Sequence, residues 1–105
     1  MVTIEPLHFK GHVIVGIEVR LPKTTLLILQ TKSGYIMCGA LDVALLRDKL
    51  AHRGILAARA VGVKTMDELW NGTIESCTQA AEKINISPGI SVQDALSKML
   101  EHERA

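Results

Sequence analysis

The feature that most constrains this chain is the run His12–Ala40, HVIVGIEVRLPKTTLLILQTKSGYIMCGA, where turns of two or three residues separate three aliphatic stretches. Turns that short force consecutive strands to pair antiparallel, because a parallel return needs about a dozen residues or more. In the first stretch Val13, Val15, Ile17, Val19 and Leu21 share one face while Glu18 and Arg20 lie on the other, the pattern of a half-buried strand. Thr24–Thr31 is apolar on both faces in its middle, which suits a central strand, and Tyr35–Ala40 has little polar content. A further short strand is expected over about Thr3–Phe9.

At Asp42 the period changes. Asp42 is a good N-cap, Val43, Leu46 and Leu50 follow at helical spacing, and Gly54 ends the helix. Ile55–Val63, ILAARAVGV, reads as a strand, parallel to Tyr35–Ala40 if the crossover is right-handed. Thr65-Met66-Asp67-Glu68 has capping-box form and opens a short helix ending near Asn71-Gly72. Ile74, Cys77, Ala81 and Ile84 mark the apolar face of another helix, and Ser91 caps a last one carrying Val92, Ala95, Leu96, Met99 and Leu100. The expectation is a single α+β domain over 1–105: a two-layer sandwich with N-terminal antiparallel strands, a β-α-β crossover in a mixed sheet, and C-terminal helices.

Composition narrows the function. The chain is 48% hydrophobic but only 3% aromatic, so its core must be aliphatic, and a charge balance of 12 basic against 11 acidic side chains with scattered aromatics argues against a nucleic-acid binder. Two cysteines are too few for a secreted disulfide scaffold, MVTIEPLHFKGH lacks a signal-peptide apolar core, and no run spans a bilayer. A cytosolic setting follows. Helices covering one face of a sheet that is apolar on both sides leave the other face to a second copy, so a homo-oligomer is expected.

The chemistry-bearing residues are few. Cys38 precedes a helix start, where a thiol pKa falls, but no histidine lies nearby in sequence to activate it, and a small buried thiol explains it as well. His8 and His12, four apart on a strand, would stand about 13 Å apart at 3.3 Å per residue, which argues against a metal site; no cofactor is indicated. Gly62-Val63-Lys64-Thr65 lacks the glycine spacing of a P-loop. With parallel strands, however, Gly39 and Asp42 would leave the same sheet edge as Gly62, Lys64 and Thr65, where open α/β sheets hold ligands, here a small anion. Arg59, between two alanines, must pair with a carboxylate, for instance one on the Asp42–Arg53 helix, emerge at an edge, or face that ligand.

The segments GYIMCGALD and RAVGVKT, within Gly16–Asn71, resemble the YunC family of small bacterial proteins. That resemblance implies a compact two-layer α/β domain and brings no established activity, substrate or catalytic residue. A small-molecule-binding or regulatory module is therefore the leading expectation. Its alternatives are a small enzyme using Cys38 and an interaction module with an apolar sheet face.

Overall fold

The computed structural model describes residues 1–39 and 53–104. Six strands form one mixed sheet in sequential order: β1 (Val2–Phe9), β2 (His12–Leu21), β3 (Thr24–Gln30), β4 (Gly34–Met37), β5 (Leu56–Arg59) and β6 (Ser76–Cys77). Pairing is antiparallel except between β4 and β5, which run parallel from Gly34 opposite Leu56 to Met37 opposite Arg59. The expected helix beginning at Asp42 lies outside the described residues. Among the described residues there are three helices: α1 (Met66–Trp70), between β5 and β6, then α2 (Gln79–Lys83) and α3 (Val92–Arg104) after the last strand.

The hairpins form where the turn chemistry allows. Lys10 and Gly11, with φ of 52° and 79°, turn β1 into β2 with both central residues left-handed, the twist that suits a two-residue hairpin. Between β2 and β3, Pro22 presets one central position and Lys23 takes the other at φ 64°. Gly34 is required by close approach: a side chain there would start 2.5 Å from the Leu56 carbonyl oxygen. Its N–H donates to the Thr31 hydroxyl at 3.1 Å, and the neighbouring Lys32 N–H donates to Glu103 at 2.7 Å, tying the β3–β4 turn to the end of α3.

One core joins sheet to helices. Ile14, Leu27, Leu29, Ile36 and Ala58 point from the strands towards Leu69, Ala81, Val92, Leu96 and Met99, all 0% exposed. This corrects the burial expected for β2. The alternating residues Val13, Val15, Ile17, Val19 and Leu21 lie on the face turned away from this core, and only Ile14 and Gly16 of that strand are fully buried.

The helix expected over Ile74–Ile84 is also revised. Ser76 and Cys77 are extended and pair with Arg59 and Ala58, and the helix starts only at Gln79. Thr78, 2% exposed, explains the break. Its hydroxyl accepts from the Ala57 N–H at 3.2 Å, donates to the Ile55 carbonyl at 2.6 Å, and accepts from the Ala81 N–H to cap α2. The free edge of β5 thus holds the chain extended for four residues before a helix can begin.

Candidate functional site

The β2–β3 turn and the loop that follows β5 come together at one end of the sheet. Between them lies a cavity of about 530 Å³ lined by Leu21, Lys23, Thr24, Thr25, Val63 and Lys64. Two strand-end hydroxyls, two aliphatic side chains and two lysines make its wall. Among the described residues neither lysine has a carboxylate within ion-pair distance, since the ion pairs are Arg20–Glu18 and Arg59–Glu75. Lys23 is held there by its left-handed backbone, a conformation that costs an L-residue about 1–2 kcal/mol.

The loop bearing Lys64 is ordered by its own hydrogen bonds. Thr65 caps α1 by accepting from the Glu68 N–H at 3.1 Å, and the Glu68 carboxylate accepts from the Lys64 N–H at 2.6 Å. The capping box therefore closes one residue earlier than its usual form: the Glu68 carboxylate takes the Lys64 N–H in place of the N-cap's own. Lys23 and Lys64 are the charged residues of the cavity lining.

Of the residues singled out from sequence, Lys64 lines the cavity. Thr65 is adjacent to it and serves as a cap. Gly62, at φ 75°, lets the chain turn away from β5. Gly39 sits against Val61, whose Cγ1 is 3.5 Å from where a side chain would begin. Cys38 is 5% exposed, and its Sγ lies 3.9 Å from the carbonyl oxygen of Thr25, behind the cavity wall. Asp42 lies outside the described residues. Arg59 faces Glu75, not an acid of the Asp42–Arg53 segment: its Nε and Nη2 reach one carboxylate oxygen at 3.0 and 2.8 Å. The Ser76 hydroxyl, at 2.6 Å, and then Arg59 hold the Glu75 carboxyl below its ordinary range. Lys23, Thr24 and Thr25 were invisible as site residues because Pro22-Lys23 reads simply as a turn; the available signal was a lysine at a position that favours glycine or asparagine.

The expected 13 Å separation of His8 and His12 assumed one continuous strand. The hairpin instead places them on neighbouring strands, with His8 opposite Val13 and His12 opposite Phe9, so they alternate to opposite faces.

The family follows from sequence comparison. A domain of unknown function, DUF1805, matches residues 37–99. The chain belongs to this family. It is 48% identical over 101 residues to the uncharacterized protein YunC of Bacillus subtilis, covering 96% of this chain and all of that one. The crystal structure of a protein of unknown function from Thermoplasma acidophilum superposes with a TM-score of 0.83 at 28% identity, covering 93% of this chain and 92% of the other. The family membership expected from GYIMCGALD and RAVGVKT, and the α+β fold expected from the order of strands and helices, thus agree with these relatives. None of the descriptions assigns a ligand or a reaction.

Proposed function

We propose that this protein is a cytosolic, homo-oligomeric module that binds a small anionic molecule and acts through binding rather than catalysis. The observation that carries this reading is the cavity lined by Lys23, Lys64, Thr24 and Thr25, in which neither lysine has an ion-pair partner among the described residues. Its size falls in the range of small-molecule sites, and Leu21 and Val63 offer an apolar wall for the body of a carboxylate or phosphate ester. The competing reading, a Cys38 enzyme, is opposed by the thiol's burial and by the lack of a histidine among the lining residues.

Support for self-association comes from the sheet face turned away from the core. By register it carries Val2, Ile4, Pro6 and His8 of β1, Val13 to Leu21 in alternation on β2, and Thr24, Leu26, Ile28 and Gln30 of β3, with no Asp, Glu, Lys or Arg. Val2, Ile4, Val13 and Leu21 are 46–66% exposed. Pro6 lacks the N–H that another strand would pair with at the β1 edge, so face-to-face packing of two sheets is favoured over edge extension.

Isothermal titration with a panel of phosphate monoesters and dicarboxylates tests the ligand. Lys23→Ala and Lys64→Ala are each expected to weaken the best binder at least tenfold while leaving the unfolding transition in place. Unchanged affinity in both variants would sink the site. Light scattering is expected to give a multiple of the 11.4 kDa chain mass and to give the monomer for Val13→Asp.

A further inference from the structure

We infer that the groove between β1 and α1 is a second binding site, independent of the lysine cavity, and that it takes a small organic cation. The groove has a volume of about 250 Å³ and is lined by Glu5, Leu7 and His8 of β1 and Met66, Asp67 and Trp70 of α1. It shares no residue with the lysine cavity.

The groove is built from the sheet upward. Gly16 of β2 leaves room at its floor. A side chain there would begin 3.2 Å from Leu7 Cδ1, 3.4 Å from Met66 Cε and 3.6 Å from Glu5 Cγ, so those three groups close over it. Trp70 is fixed on two sides. Its ring meets Phe9 edge-on, with centroids 5.1 Å apart and planes at 85°, and its carbonyl oxygen accepts from Gln93 Nε2 at 3.2 Å. The result is an apolar slot with a held indole and two carboxylates at its rim.

Among the described residues neither the Glu5 nor the Asp67 side chain makes an ion pair, and the nearby ammonium of Lys10 lies over the Phe9 ring at 5.4 Å. A neutral apolar molecule entering the slot would strip water from both carboxylates without compensation. An anion would be repelled by them. An ammonium on a short aliphatic body satisfies both parts of the lining: the body packs on Leu7 and Met66, while the charge meets the carboxylates and the indole face. A bare metal ion does not fit as well, because among the described residues no three His, Cys, Asp or Glu side chains gather closely enough to hold one.

Trp70 is the single tryptophan of the chain, so intrinsic fluorescence reads this groove directly. The probes are choline and its uncharged isostere 3,3-dimethylbutan-1-ol, titrated at constant ionic strength. Choline is expected to change the emission saturably, and the isostere to bind at least tenfold more weakly. Glu5→Gln and Glu5→Gln/Asp67→Asn, both at exposed positions, are expected to weaken choline progressively, by tenfold or more in the double variant, with unfolding unchanged. Lys64→Ala should leave choline binding intact, which separates this site from the anion cavity. No saturable change with choline, equal binding of the isostere, an equal response to calcium, or wild-type affinity in the double variant would each overturn the inference.

Discussion

The two faces of the β1–β3 sheet are similarly rich in aliphatic side chains, yet their surroundings differ sharply. On β2 and β3, Ile14, Leu27 and Leu29 are 0% exposed beneath the helices, whereas Val13 and Leu21, on the reverse side, are 56% and 46% exposed. The charges follow the opposite pattern. Glu5, Glu18 and Arg20 lie on the helix side, Glu5 at the rim of the groove beside α1, while the reverse side of these strands carries none. Alternation therefore identifies a strand but does not say which face turns inward. The extent of the helix layer decides that.

The largest expected effect tests this asymmetry directly. Leu29→Ala should cost about 2–5 kcal/mol, because the packed residues around it cannot fully collapse into the space. Val13→Ser on the other face should stay within about 0.5 kcal/mol for the isolated chain while weakening self-association. Denaturant unfolding of both variants at a concentration where the wild type is monomeric makes the comparison. Similar losses at the two positions would mean that the reverse face is covered within one chain.

Next in size is the outer edge of the sheet, where Thr78 joins β5 to α2. Thr78→Val keeps the shape and removes the hydroxyl, leaving the buried Ala57 N–H short of one partner and α2 without its cap. A loss of about 1–3 kcal/mol is expected, measured by the same unfolding experiment. Thr78→Ser should retain most of the stability, since the hydroxyl remains.

A smaller effect concerns Glu75 on that edge. Its folded-state pKa is lowered by the Ser76 hydroxyl and by Arg59. The charged form is thus favoured by folding: its stabilisation is complete above the ordinary carboxylate pKa of 4.5 and fades as pH falls below that value. Glu75→Gln should be slightly less stable than wild type at pH 7, and the difference should vanish in acid. A difference that grows towards low pH would reverse the assignment.

How much was readable beforehand depended on whether a signal was local. The three hairpin-linked strands, the parallel β4–β5 pair, the Thr65 cap and the Ser91 cap all rest on spacing or on a side chain three residues from its partner, and each is present. What failed required a neighbour distant in sequence. Ile74, Cys77, Ala81 and Ile84 do fall at helical spacing, but β5 recruits the backbone of Glu75 and Thr78 through Arg59 and Ala57. The pairing of Arg59 with a carboxylate was one of three outcomes its alanine neighbours left open, and the identity of that carboxylate depended on β6. The cavity was half visible: Lys64 was placed at its edge, and Lys23 was not, because nothing local says that two turns 40 residues apart meet.

The smallest expected change sits at that missed residue. Lys23→Gly removes the cost of a left-handed L-residue, about 1–2 kcal/mol, and adds unfolded-chain entropy worth about 0.4–1 kcal/mol in the other direction. The net effect should be near zero or a gain of up to roughly 1.6 kcal/mol in unfolding free energy, by the difference of those two terms. Anion affinity should nevertheless fall as far as it does in Lys23→Ala. A residue that costs stability where glycine would serve better, beside a cavity with a second lysine that has no ion-pair partner among the described residues, fits a role in binding. Lys10 provides the internal control. It is also left-handed, at φ 52°, but its ammonium lies over Phe9. Lys10→Asn should leave anion binding untouched. If Lys23→Gly binds anions as tightly as wild type, Lys23 is a turn residue only, and the charge of the cavity rests on Lys64 alone.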